Sequence, residues 1–162
     1  MKKLAFALAA GLVAFAAHAQ TWPSKNVTLL VPFPPGGSTD MIARTLGAKL
    51  QEKLGGSFIV DNKAGAGGTL GTDFVAKSAP DGYTMQLAAL ATNATAPSVY
   101  PKLDYNIESD FVPVGLISSV PQVIVVNPQR VAAKTLPELL DFMRKNPAKL
   151  NYGSAGNGTS HH

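Results

Sequence analysis

Hydrophobic positions along this chain switch repeatedly between the periods of strand and helix. Residues 27–31, Val-Thr-Leu-Leu-Val, form an uncharged, branched run, the pattern of a central parallel strand covered on both faces. Met41, Ile42, Leu46, Leu50 and Leu54 then recur at helical spacing, with Arg44, Lys49 and Lys53 turned elsewhere, until Gly55-Gly56 closes the helix. Residues 57–60 predict a second strand and 70–77 a second helix, which the turn Ala79-Pro80-Asp81-Gly82 ends. Residues 83–90 predict a third strand. Strand–helix–strand–helix–strand with short connections is a right-handed parallel α/β unit. Ligands of such sheets sit outside the carboxyl ends of the strands.

Beyond residue 90 the pattern loosens. Residues 91–110 are irregular, and 111–118 and 122–126 read as two strands interrupted by Pro121. That interruption is where the chain is expected to leave one lobe for another, with a hinge at 118–121. Thr135-Leu136-Pro137-Glu138 is a capping box with proline in the first turn. It opens a helix bearing Leu139, Leu140, Phe142 and Met143, which Asn146-Pro147 stops. A short strand follows at 150–152. No internal repeat or low-complexity tract interrupts this order. The expected organisation is a leader at 1–19, a first α/β lobe at 20–118, and the beginning of a second α/β lobe at 119–162, cut short.

Each of three strand patterns empties into a glycine-rich loop: PFPPGGSTD at 32–40, NKAGAGGTLG at 62–71 and GSAGNGTS at 153–160. A strand-to-helix turn leaves backbone N–H groups unpaired at the positive end of a helix, a receptor for carboxylate or phosphate. In the first loop three prolines stiffen the strand exit, while Gly36 and Gly37 let a ligand approach the backbone. Ser38 or Thr39 is expected to cap the helix, with Asp40 favouring its first turn. A plain, well-made helix start accounts for the capping residues but not for three prolines and two glycines. The second loop fits a loose dinucleotide fingerprint at Gly65, Gly67 and Gly71. It lacks the acidic residue that would stand about 20 positions on, and no Gly-Lys-Ser/Thr occurs anywhere. A close-packed loop lining a cleft suits it better. The third offers Ser154, Asn157, Thr159 and Ser160 as polar donors beside free amides, and Thr159-Ser160 announce a helix at the point where the sequence stops.

The N-terminal residues change the reading of charge. Lys2-Lys3, the uncharged apolar residues 4–17 and the small residues of Ala17-His18-Ala19 form an export leader cut before Gln20. A membrane anchor would need about 20 apolar residues. Without the leader, twelve basic face ten acidic side chains, too mild a balance for nucleic acid or membrane surfaces. The chain has no cysteine, which an exported domain with a real core tolerates. Beyond the leader its only histidines are His161 and His162, no Gly-x-Ser-x-Gly elbow occurs, and the acids are scattered, Asp40, Asp61 and Asp73 without evident partners. Nucleophilic or metal-assisted catalysis therefore has no visible machinery. Neither a cofactor nor a metal is expected.

Five ordered motifs carry a specific resemblance: VPFPPGGSTDMIAR (31–44), IVDNKAGAGGTLGT (59–72), PDGYT (80–84), DFVPVGLI (110–117) and NYGSAGNGTSHH (151–162). In order and spacing the chain from residue 22 onward resembles the Bug family, the substrate-binding receptors of tripartite tricarboxylate transporters. The resemblance implies a type II periplasmic binding-protein fold, two lobes closing on one small organic acid. It implies that one ligand carboxylate meets Phe33, Pro35, Gly36, Gly37, Ser38 and Thr39, and also Ala64, Gly65, Ala66, Gly67, Gly68 and Thr69, partly through water. The other end of the ligand would meet Ser154, Gly156, Asn157, Gly158, Thr159 and Ser160. It further implies a periplasmic location, membrane transporter subunits as partners, and a natural length beyond this chain. The same loops would also serve a sensory module for a membrane kinase or an exported α/β enzyme.

Overall fold

The computed structural model describes residues 21–162; the leader expected at 1–19 lies outside them. Strands β1 (Val27–Val31), β2 (Phe58–Asn62) and β3 (Thr84–Gln86) form one parallel sheet in the order β2-β1-β3. Val27 pairs with Phe58 and Val31 with Asn62 along one edge of β1, and Leu30 pairs with Gln86 along the other. Helix α1 (Ser38–Leu54) connects β1 to β2, and α2 (Thr69–Ala76) connects β2 to β3.

The two helices cover opposite faces, and β1 shows why. A Cβ on Gly47 of α1 would lie 3.2 Å from Leu29 Cδ1, whereas a Cβ on Gly71 of α2 would lie 3.1 Å from Leu30 Cδ2. Neighbouring residues of a strand point to opposite faces, so α1 packs on the Leu29 side and α2 on the Leu30 side. Both leucines, with Val27 and Val31, are fully buried. Val27, Leu29, Val31, Ala43, Phe58 and Leu87 form the core, ringed by Phe33, Leu46, Leu50 and Met85.

The α1 face follows the apolar spacing only in part. Leu46 and Leu50 pack half-buried against the core, but Met41 and Leu54 are exposed and the buried positions are Asp40, Ala43 and Gly47. Close approach to the sheet is made by small residues, which a count of large apolar side chains overlooks. Likewise α2 buries Thr69, Gly71 and Thr72 and leaves Leu70 and Phe74 exposed.

Several expected strands do not form. The third strand was expected over 83–90, yet only Thr84–Gln86 join the ladder, with Leu87 N–H still donating to Leu30 O at 2.8 Å. The chain then coils into a π-helical turn, Ala91–Thr95, and the one-turn helix α3, Ala96–Val99, where an irregular stretch was expected. Residues 111–118, 122–126 and 150–152 are not strands. A strand exists only with a ladder partner, and among the described residues these segments have none; Leu116 is 93% exposed. Helix α4 (Leu136–Lys145) forms where expected, with Thr135 Oγ1 accepting from Glu138 N–H at 3.4 Å. The Glu138 carboxylate reaches back to Lys134 N–H at 2.8 Å, one residue before the cap. No residue of α4 is buried.

Candidate functional site

In a 2-1-3 parallel order the connections leaving β1 and β3 run to opposite faces, and ligands of such sheets sit between them at the carboxyl ends of the strands. Residues 32–40 leave β1 at that end, and residues 87–95 leave β3. The segment 62–71 leaves β2 beside them.

The first loop starts α1 differently from the sequence expectation. Gly37 is the N-cap, and neither Ser38 nor Thr39 makes a side-chain cap. Gly37 has the extended conformation that a cap requires, which places Ser38 inside the helix. The capping function moves to Asp40, whose Oδ2 accepts from Gly36 N–H at 2.9 Å. Among the described residues, the amides of Ser38 and Thr39 meet no acceptor. They are the orphan donors of a 17-residue helix, concentrated at its positive end.

Asp40 is far from partnerless. Arg44 grips it with two bonds, Nε to Oδ2 and Nη2 to Oδ1, both at 3.0 Å. Asn62 Nδ2, at the end of β2, donates to Asp40 Oδ1 at 3.0 Å and to Phe33 O at 3.1 Å, while Asn62 Oδ1 accepts from Arg44 Nη2 at 3.2 Å. The carboxylate is 3% exposed. The Arg44 guanidinium, then Gly36 N–H and the Asn62 amide, pull its pKa down to about 2. A depressed carboxylate pKa stabilises the fold above the unfolded value of about 3.9 and loses that contribution as pH falls through the folded value. Asp40→Asn should therefore lower the denaturant midpoint at pH 6, and most of the difference from the native chain should be gone by about pH 2. A difference that persists unchanged at pH 2 contradicts this assignment. Asp61 and Asp73 also have partners, Lys63 at 3.4 Å and Lys77 at 2.7 Å.

The second loop is wound tightly. Gly65, Ala66, Gly67 and Gly68 all have positive φ, and Gly68 N–H closes the turn on Gly65 O at 2.8 Å. Gly65 and Ala66 are exposed and Gly68 is buried. The loop lies against the first one, since a Cβ on Gly68 would stand 3.3 Å from the Phe33 ring. Thr69 turns its hydroxyl inward to Ala66 O at 2.9 Å.

The third loop comes to the second. A Cβ on Gly156 would lie 3.2 Å from Gly67 Cα, and one on Gly67 would collide with Asn157 O. Tyr100 Oη donates to that same carbonyl at 3.0 Å. Most polar groups of the third loop are spent locally: Thr159 Oγ1 donates to Gly156 O at 2.7 Å, and Gly156 N–H donates to Ser154 Oγ at 3.2 Å. Ser160 is exposed and the expected helix is a turn.

All three glycine loops thus converge, as a chain of contacts from Phe33 through Gly68 and Gly67 to Asn157. Sequence reasoning missed Arg44, Asn62 and Tyr100. Asp40 and Arg44 at helical i, i+4 spacing were a readable signal; nothing local marks the others. A surface hollow of about 760 Å³ lies between Lys63, Leu70, Phe74 and Lys77. Its two lysines are paired with Asp61 and Asp73, so it offers no unpaired cation to an acid. No cluster of three potential metal-ligating side chains occurs among the described residues, and none of their helices is long and apolar enough to cross a membrane.

A family model described as the tripartite tricarboxylate transporter family receptor matches residues 42–162. Protein BugT of Bordetella pertussis is 40% identical over 158 residues, covering 97% of this chain and 48% of BugT. Two solved structures from Rhodopseudomonas palustris superpose closely. Rpa4515 with adipate has a TM-score of 0.80 at 38% identity, over 85% of this chain and 46% of that one. MatC with bound malate has a TM-score of 0.79 at 37% identity, over 86% of this chain and 47% of that one. The chain spans about half the length of the curated relatives it matches. With the parallel sheet, the ordered glycine loops and these matches together, the chain belongs to the tripartite tricarboxylate transporter receptor family, the Bug proteins.

Proposed function

We propose that this chain is the ligand-holding part of a periplasmic receptor that captures a small organic acid for a tripartite tricarboxylate transporter. One carboxylate of the ligand sits at the open amides of Ser38 and Thr39, beside the exposed turn at Gly65 and Ala66. The third loop, near Asn157 and Ser160, belongs to the opposing wall, and residues 119–162 to the second lobe. The leader at 1–19 directs export, and the membrane subunits of the transporter receive the acid.

The observation that carries this reading is the bare N-terminus of α1. Two amides are left without acceptors where the helix dipole is most positive, and Arg44, the cation nearest along α1, is bonded to Asp40. Hydrogen bonds to a charged group contribute about 1.5–3 kcal/mol each, and a helix end adds about 0.3–1 kcal/mol. Three or four such bonds, less the ordering cost, give a micromolar receptor at about −8 kcal/mol. Release stays easy because no ion pair has to break. The reading needs no chemistry on the ligand.

Relatives with adipate and malate bound direct the choice of probes. Calorimetry on the purified chain with adipate, malate and a tricarboxylate such as citrate should give a saturable heat with at least one of them. A folded chain that is silent across all three contradicts the proposal.

A further inference from the structure

Asp40 is the one buried charged residue among those described, and it lies in the first turn of α1, among the amides that the proposed ligand would occupy. An acidic residue there favours the helix dipole, yet a second carboxylate arriving at the same amides meets a like charge, which disfavours both. Arg44 resolves the conflict. Its guanidinium takes both oxygens of Asp40 in a fork, a geometry that lysine cannot reproduce, and it also touches Asn62. Asn62 in turn ties the Phe33 carbonyl to the end of β2. The cluster therefore fastens three segments together: the first loop, the start of α1, and the strand end from which the second loop departs.

We propose that Arg44 is a positioning residue for carboxylate binding: by clamping Asp40 against Gly36 and Asn62 it fixes the spacing of the first two glycine loops and cancels the negative charge in the first turn of α1. The inference rests on the carboxylate reading above. Arg44 acts through Asp40 rather than on the ligand.

Four chains separate the possibilities: the native protein, Arg44→Gln, Arg44→Lys, and the pair Asp40→Asn/Arg44→Gln. Each is titrated with adipate and malate by calorimetry at low and high salt, alongside its denaturant midpoint. Arg44→Gln leaves a buried unpaired carboxylate and should weaken binding about tenfold at low salt, with the loss shrinking as salt screens the repulsion. Arg44→Lys keeps the charge but loses the fork, and its affinity should fall between those of the native chain and Arg44→Gln. The double variant removes both charges and should recover most of the affinity, although its denaturant midpoint stays below the native one. A direct Arg44–ligand contact predicts no recovery in the double variant, and a purely structural role predicts a loss in Arg44→Gln that salt does not change. Either result overturns the inference. If the native chain binds neither these acids nor citrate, the receptor reading itself fails; if it binds and Arg44→Gln binds equally well, only the role of Arg44 fails.

Discussion

Gly68→Ala is expected to destabilise the protein by about 2–5 kcal/mol, the sum of backbone strain and overpacking. Gly68 is the N-cap of α2 with φ 97° and ψ −5°, a conformation that a Cβ makes costly. The added methyl would also stand 2.5 Å from Thr92 Cγ2 and 3.3 Å from the Phe33 ring. Thr92 cannot swing aside cheaply: it is fully buried, and its hydroxyl donates to Ala89 O at 3.0 Å. The wedge falls where the first and second loops touch, so carboxylate binding should fall with stability. Chemical denaturation of the purified variant reads the first effect directly. An unchanged midpoint would mean that the loops are not packed as described.

Gly71→Ala is the second large effect, and here two tendencies oppose each other. Alanine in place of a helical glycine gains about 1 kcal/mol of helix propensity. Against that gain, a Cβ on Gly71 would meet Lys63 O at 2.7 Å and Pro32 Cα at 3.0 Å. Both are backbone atoms held by the sheet, since Lys63 N–H donates to Val31 O at 2.9 Å. Overpacking against an obstacle that cannot rotate costs about 1–3 kcal/mol or more, so the net change should be destabilising by about 1–2 kcal/mol. Gly47→Ala is the internal control. Its nearest obstacle is the Leu29 side-chain methyl at 3.2 Å, which can shift by a few tenths of an ångström. That variant should be neutral or slightly stabilised. Equal midpoints for the two variants would contradict the close seating of α2 on β1.

The parts of this fold that sequence reading recovers are those decided locally. The branched run Val27–Val31, the glycine closure at residue 55 and the cap at Thr135 each carry their own signal within a few residues. Loop positions followed, because a strand-to-helix turn is written in glycine and proline. What stayed hidden depends on residues far apart in the chain. Ala43, Gly47 and Gly71 set the helix-to-sheet distances, yet small residues carry no weight in an apolar pattern. Asn62 reaches Phe33 and Asp40 across more than twenty positions. Residues 111–118 and 122–126 have strand composition, but a ladder needs a partner, and composition does not say whether one is at hand. Ser38 and Thr39 looked like caps because their type is right; the extended backbone of Gly37 placed them one and two positions too far along the helix, and that left their amides open.

Those open amides carry the proposed binding. Titrating adipate and malate into the isotopically labelled chain and following backbone amide resonances tests it residue by residue. The signals of Ser38 and Thr39 should move together with those of Gly65 and Ala66, along one saturation curve. Shifts confined to Lys63, Phe74 and Lys77 around the hollow beside α2, or amides at 38 and 39 that stay still while the acid binds elsewhere, would contradict it.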